Sequence, residues 1–131
     1  MRSIRILLVD DSYHFLQSAA EFLNKDPNIT VAGCATSGRE ALQQVSELMP
    51  DLVLMDLTMP GMDGFEATQR IKSRAGPPHV IILTLCDNPE YRIAAEEIGA
   101  DGFVAKSDFA TELCPMIDRV LGIPCRPLSD S

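Results

Sequence analysis

The sequence alternates short apolar runs with longer segments of helical period, and this alternation restricts the possible folds more than any other feature. Apolar residues such as Leu16, Ala19 and Leu23 recur at helical spacing between the runs. Strands that alternate with helices form right-handed βαβ units, so we predict an α/β fold with a parallel sheet covered on both faces. The five predicted strands are Ile4 to Val9, Ile29 to Cys34, Leu52 to Met55, Val80 to Leu85 and Phe103 to Ala105.

Local signals mark the starts of several predicted helices. Ser37-x-x-Glu40 and Asp63-x-x-Glu66 have the spacing of a capping box, and Asn88-Pro89 places a capping residue before a proline suited to the first helical turn. Pro115 lies inside the last apolar stripe, where it removes an intrahelical hydrogen bond. We therefore expect the last helix to start late, near Thr111, or to kink.

Length and charge restrict the organisation of the chain and its partners. A chain of 131 residues is long enough for one domain. We assign residues 1–121 to it and residues 122–131, with Pro124 and Pro127, to a tail or the root of a linker. The formal net charge of −8 repels phosphate backbones and anionic lipid, so we expect no direct binding to nucleic acid or membrane.

The cysteines and the first apolar run indicate an ordinary cytoplasmic domain. Cys34, Cys86, Cys114 and Cys125 are widely scattered and lack the spacing of zinc or redox motifs, which predicts free thiols. The run Ile6 to Val9 is too short for a signal sequence or a membrane span.

Polar residues follow the apolar runs at their carboxyl ends. Asp10 and Asp11 follow the first predicted strand, Asp56 follows the third, Thr84 lies near the end of the fourth, and Lys106 follows the fifth. In open α/β sheets the ligand crevice lies at these carboxyl ends. The pattern therefore predicts one pocket that holds three carboxylates, a hydroxyl and an ammonium.

This combination of groups favours phosphoryl chemistry with a divalent cation. Two unit charges about 4 Å apart repel by about 4 kcal/mol at an effective dielectric near 20, so clustered carboxylates need raised pKa values or a cation. Oxygen ligands without His or Cys favour Mg²⁺. Lys106 adds a positive charge for an anionic group, and Asp56 on the middle strand is the natural nucleophile.

These residues resemble the receiver domain of two-component response regulators. The resemblance covers about residues 4 to 121 and is most like receivers of the LuxR-type (NarL/FixJ-like) branch, although no helix-turn-helix is present in this chain. It implies a flavodoxin-like doubly wound sheet of five parallel strands in the order 2-1-3-4-5 with five helices. The residues that carry it are Asp10-Asp11, Asp56 within the segment Leu54 to Gly64 (LMDLTMPGMDG), Thr84, Phe103 and Lys106.

The resemblance also implies a metal site and an acceptor. Asp56 would take a phosphoryl group from a phosphohistidine of a sensor histidine kinase and form an aspartyl phosphate. The side chains of Asp11 and Asp56 and the backbone carbonyl of Thr58 would bind Mg²⁺, and Asp10 would reach the metal through water. Such a domain is not an enzyme in the usual sense, although it promotes its own phosphorylation and dephosphorylation.

The remaining implied roles describe a switch. Lys106 would bind a phosphoryl oxygen, Thr84 would swing its hydroxyl onto another, and Phe103 would follow into the vacated space. The changed surface would control an output, with homodimer formation on phosphorylation and transcription through a LuxR-type domain as the expectation. The chain is then either a stand-alone domain or, as we favour, a receiver cut from a longer regulator at its tail.

Besides Pro115, two positions depart from the family pattern. Leu85 follows Thr84 where a small residue is usual, so its bulk is expected to narrow the phosphoryl entrance or slow the chemistry. Ser107 replaces the proline that often follows the lysine, so no cis bond is implied. His14 and His79 are interpreted as a solvated helix residue and the start of a strand, not as catalytic bases.

Two other functions remain as alternatives, and a third is rejected on its motif. A pseudo-receiver would bind its partner without phosphorylation, and Leu85 is the residue that makes this plausible. A Mg²⁺-dependent phosphohydrolase of haloacid-dehalogenase type needs a second Asp where this chain has Thr58. A flavin- or nucleotide-binding module lacks support, since no glycine-rich phosphate loop follows the first strand.

Overall fold

The structure is a computed structural model that describes residues 3–59, 61–85 and 88–122. The strands are β1 (Ile4–Val9), β2 (Ile29–Ala35), β3 (Leu52–Asp56), β4 (His79–Thr84) and β5 (Gly102–Ala105). The helices are α1 (Tyr13–Leu23), α2 (Gly38–Leu48), α3 (Gly64–Lys72), α4 (Pro89–Glu97) and α5 (Phe109–Leu121), and a 3₁₀ turn (Lys106–Asp108) leads into α5.

The strands form one parallel sheet in the order β2-β1-β3-β4-β5, which confirms the predicted topology. Residues of α1 and α5 pack in the hydrophobic core on one face of the sheet, and residues of α2, α3 and α4 pack in the core on the other. The central strand β3 is buried along its whole length. Burial on both faces explains why the central runs are almost continuously apolar.

The predicted helix caps are present. The Ser37 hydroxyl accepts a hydrogen bond from the backbone N–H of Glu40 at 3.1 Å, and Asp63 accepts one from Glu66 at 2.9 Å. Asn88 caps α4 with Pro89 in its first turn. Each side chain satisfies an amide that the helix itself leaves without a partner.

The start of α5 differs from the prediction. The helix begins at Phe109 instead of near Thr111 and continues through Pro115 to Leu121. The Phe109 ring packs edge-on against Phe15 and Phe22 of α1, which holds the first turn of α5 in place. The helix accommodates Pro115 at an exposed position, where water can reach the carbonyl that lacks its usual donor.

Strand ends differ from the prediction by one residue. β2 extends to Ala35, β3 includes Asp56, and β4 runs from His79 to Thr84 and leaves Leu85 outside. His79 therefore begins a strand as predicted, since its amide donates to the Asp51 carbonyl at 3.2 Å.

Some expectations fall on parts of the chain that are not described. Residues 123–131 of the predicted tail, together with Cys86 and Cys125, lie outside the described residues. Of the other two cysteines, Cys34 is exposed and Cys114 is buried. Within the described residues, no helix has the length and apolar character needed to span a membrane.

Candidate functional site

The strand register brings the polar strand-end residues to one edge of the sheet. Val9 pairs with Met55, so Asp10, directly after β1, lies level with Asp56, the last residue of β3. Thr84 pairs with Ala105, the last residue of β5, so Lys106 follows one position beyond this pair. This stagger follows from pairing of the apolar runs, which places each following polar residue at the carboxyl edge.

Three aspartates form the acidic part of this site. Side-chain oxygens of Asp10, Asp11 and Asp56 all lie within 4.8 Å of one another. Asp10 and Asp56 are buried, whereas Asp11 is exposed. Among the residues that the structure describes, this is the one group of three or more possible metal ligands.

Backbone contacts hold Asp10 in position. Its amide donates to the Ala35 carbonyl at 3.0 Å, and its Oδ1 accepts from the Ser12 amide at 2.9 Å. Ser12 in turn caps α1 through the Phe15 amide. The start of α1 therefore sets the orientation of the buried Asp10 carboxylate.

Lys106 bridges the two buried aspartates. Its Nζ lies 2.5 Å from Oδ2 of Asp10 and 3.2 Å from Oδ1 of Asp56. The Lys106 side chain is only 10% exposed. Charge-assisted hydrogen bonds of this kind offset the cost of burying the ammonium and the two carboxylates together.

The charges shift the pKa values of both Asp56 and Lys106. Burial raises the pKa of Asp56, and the neighbouring Asp10 raises it further, which outweighs the opposing effect of Lys106. Burial lowers the pKa of Lys106, but its hydrogen bond to Asp10 and the charge of Asp56 outweigh burial and raise it overall. The positive charge of Lys106 therefore offsets only part of the effect of burial and of Asp10 on the Asp56 carboxyl.

The donor set suits a hard divalent cation. All the clustered ligands are carboxylate oxygens, and the excess negative charge at Asp56 gives a cation a direct electrostatic advantage. Mg²⁺ prefers such oxygen ligands and usually keeps several waters, for which the exposed Asp11 leaves access. The residues present therefore fit Mg²⁺.

The other expected site residues are distributed around this cluster. Thr84 is buried at the last position of β4, and Thr58 is exposed in the loop two residues after Asp56. Phe103 is buried on β5, where the guanidinium of Arg92 lies 4.7 Å from the centre of its ring. The roles of these three expected residues in metal binding and switching remain predictions.

Residues outside the predicted polar set also shape the site. Phe15, which the sequence pattern assigns only to the apolar stripe of α1, lies against Lys106. Gly64 at the start of α3 packs on the backbone of Asp56 and Leu57. In the sequence, the Asp63-Gly64 pair of the motif indicates a close approach of two backbone segments. Nothing in the sequence indicates that Phe15 contacts Lys106, except that Phe15 follows Asp11 by about one helical turn.

Leu85 does not pack into the protein as a core residue would. Its side chain is 82% exposed, and His14 is likewise exposed on α1. The expected effect of Leu85 on the rate of phosphorylation remains a prediction.

Comparisons with known proteins agree with this geometry. A family model described as "Response regulator receiver domain" matches residues 6–118. The transcriptional regulatory protein LiaR of Bacillus subtilis is 39% identical over 114 residues, covering 87% of this chain and 54% of LiaR. A protein-glutamate methylesterase/protein-glutamine glutaminase of Geobacillus kaustophilus is 38% identical over 125 residues, covering 93% of this chain and 36% of that protein.

A solved structure shows the same fold. The two-component response regulator of the LuxR family from Aurantimonas sp. SI85-9A1 superposes with a TM-score of 0.87 at 33% identity, covering 94% of this chain and 88% of that one. The chain spans about half or less of the length of the two curated relatives above.

Proposed function

The chain belongs to the response regulator receiver domain family, whose members are phosphorylation-based switches of two-component systems, and we propose that Asp56 is its phosphoryl acceptor. The observation that carries this proposal is the buried Asp56 carboxylate, flanked by the Asp10-Asp11 pair and held 3.2 Å from Lys106. The groups proposed as acceptor, metal ligands and counter-ion thus lie together at one sheet edge.

Asp56 acts as the nucleophile in the proposed reaction. A carboxylate oxygen of Asp56 attacks the phosphorus of a phosphohistidine on a sensor histidine kinase. The new P–O bond forms as the P–N bond breaks. The electron pair of the P–N bond returns to the histidine nitrogen, which takes up a proton. Lys106 stabilises charge on the phosphoryl oxygens during the transfer, and water later hydrolyses the acyl phosphate.

The remaining residues bind and neutralise charge. Asp11, Asp56 and the Thr58 carbonyl would hold Mg²⁺, with Asp10 acting through water. Bound Mg²⁺ would offset the negative charge of the carboxylates and the incoming phosphoryl group. The raised pKa of Asp56, which comes first from burial and then from the charge of Asp10, supports this role, because a bound cation would favour the ionised carboxylate.

Thr84 and Phe103 convert the modification into a change of surface. In the proposed switch the Thr84 hydroxyl turns toward a phosphoryl oxygen, and the ring of Phe103 follows into the space behind it. Both residues are buried on the adjacent strands β4 and β5, and Phe103 pairs with Ile82, two residues before Thr84, which supports a coupled movement.

Phosphorylation of the isolated chain tests the acceptor. We expect acetyl phosphate with Mg²⁺ to add one phosphoryl group, seen by intact mass, and Asp56→Asn to abolish the addition. Asp118→Asn, at an exposed position of α5, is the matched control and should react as the wild type does. Failure with both a phosphodonor and a cognate kinase, despite measurable Mg²⁺ binding, would favour the pseudo-receiver alternative.

Lys106 is proposed to couple the modification to pairing of the domain. We expect Lys106→Ala to retain the fold. It should lose any phosphorylation-dependent change in oligomeric state, measured as molar mass by light scattering. An unchanged response in this variant would remove the role assigned to Lys106.

The output is proposed to lie outside this chain. Likeness to a LuxR-family regulator and to LiaR supports transcription control through a LuxR-type domain. A methylesterase domain is the second candidate, because the Geobacillus relative carries that name. We expect the chain to act in the cytoplasm, where histidine kinases use ATP. The sequence of the complete gene would distinguish the two outputs.

A further inference from the structure

The ammonium of Lys106 has an aromatic neighbour besides its two carboxylates. Its Nζ lies over the ring of Phe15, 4.4 Å from the ring centre. The face of an aromatic ring carries negative charge density, and a cation within about 6 Å of the ring centre is attracted to it. Because the Lys106 side chain is only 10% exposed, water competes little for this contact.

The Phe15 ring is itself held in a fixed place. Phe109 meets it edge-on, with centres 5.6 Å apart and planes at 77°. Phe22 also packs against Phe109, with ring centres 5.2 Å apart. Edge-to-face pairs of this kind are favourable, so α1 and α5 together orient the ring below Lys106.

The ring differs from the other partners of Lys106 in one respect. An ammonium has three donors, and Asp10 and Asp56 accept from it at 2.5 and 3.2 Å. Under the proposed function both carboxylates take on new partners, so their bonds to Lys106 must change. The ring of Phe15 has no oxygen for a metal or a phosphoryl group, and its attraction for the ammonium persists throughout.

We propose that Phe15 is a positioning residue that holds the Lys106 ammonium at the reaction site while its carboxylate partners change. This inference rests on the proposed function of Asp56 for its effect on phosphorylation, but not for the placement of Lys106. Phe15 acts through Lys106 and does not touch the reacting atoms.

Substitutions at position 15 separate the charge of the ring face from its bulk. Phe15→Leu keeps an apolar side chain and removes the ring face, whereas Phe15→Tyr keeps it. We expect Leu to lower the rate of phosphorylation by acetyl phosphate by about 3- to 10-fold and Tyr to retain at least half of the wild-type rate. Phe22→Leu is the matched control, because it removes a ring that packs on Phe109 and keeps both the Phe15–Phe109 pair and the contact of Phe15 with Lys106.

Proton NMR reads the placement directly and without phosphorylation. Protons above an aromatic ring resonate upfield, so the Lys106 Hε protons should be displaced upfield in the wild type, Phe15→Tyr and Phe22→Leu, and return to ordinary positions in Phe15→Leu. Urea unfolding of each variant shows that the assays are run on folded protein.

Different failures have different meanings. An unreactive wild type would contradict the proposed function, and the NMR shifts would still decide whether Phe15 holds Lys106. A Phe15→Leu rate within twofold of the wild-type rate, or an equal loss in Phe22→Leu, would overturn the positioning role. The same holds if the Lys106 protons show no upfield displacement in the wild type.

Discussion

Substitution of Gly64 by Ala tests how closely α3 must approach the end of β3. Gly64 is the first residue of α3, and its amide donates to the Leu57 carbonyl at 3.0 Å. A Cβ at this position would lie 2.1 Å from the carbonyl oxygen of Asp56 and 2.8 Å from the Cα of Leu57. Both are backbone atoms, so no rotation of a side chain relieves the clash.

The cost follows from the depth of this overlap. Ordinary contacts of a Cβ begin near 3.4 Å, so the Asp56 carbonyl would have to move by more than 1 Å, or α3 would have to withdraw. Overpacking costs about 1 to 3 kcal/mol, and a backbone clash belongs at the upper end. We expect a loss of about 3 kcal/mol in the free energy of unfolding, which for a chain of this length lowers Tm by about 10 °C.

Urea and thermal unfolding followed by circular dichroism would measure the loss. Gly61→Ala is the matched control, because the space around its Cβ is open and only its φ of +77° opposes a side chain. That conformation costs about 1 to 2 kcal/mol. The reasoning would be refuted if Gly64→Ala cost less than Gly61→Ala or left the unfolding midpoint unchanged.

Three further predictions concern Asp56 and Leu85 near the site and Asp101 at the opposite, amino end of the sheet. Burial and the charge of Asp10 raise the pKa of Asp56 in the folded state, so the fold favours the protonated carboxyl. The contribution of this group to the free energy of unfolding is therefore greatest at low pH and is lost as pH rises through the folded-state pKa. Asp56→Asn should therefore be more stable than the wild type to urea at pH 7, with no advantage near pH 3. Burial raises the pKa of Asp101, but Lys72 and its other hydrogen-bond donors lower it overall. Its ionised form thus stabilises the fold above the unfolded-state pKa, and this is lost as pH falls through the folded-state pKa. Asp101→Asn should cost about 1 kcal/mol at pH 7, and the difference should shrink below about pH 4 in the same urea titrations. Leu85→Ala should change stability by less than about 0.5 kcal/mol, since the residue is 82% exposed, and should raise the rate of phosphorylation measured by intact mass. A slower Leu85→Ala variant would contradict the expected obstruction.

The polar residues of the site were predictable because each interrupts an apolar pattern. Asp10, Asp56 and Lys106 follow strand-like runs, and parallel pairing of those runs brings the strand ends together. The caps of α2 and α3 were predictable for a similar reason, because a capping side chain acts within three residues.

Other features depend on contacts between distant elements. The start of α5 at Phe109 contradicts the predicted start near Thr111, because rings from α1 hold the first turn in place. The place of Phe15 beside Lys106 was equally hidden, since a residue in an apolar stripe has no local sign of a charged neighbour.

The sequence by itself determined the alternation of strands and helices, the parallel sheet and the identity of the acidic cluster with its lysine. These follow from periodicity and from side-chain chemistry, which act over a few neighbouring residues. Only the tertiary structure decided that the Lys106 ammonium lies between Asp10, Asp56 and the ring of Phe15. It also decided that the backbone around Gly64 leaves no room for a side chain. Those distances are set by the packing of α1, α3 and α5 on the sheet, and close packing joins residues that are far apart in the chain.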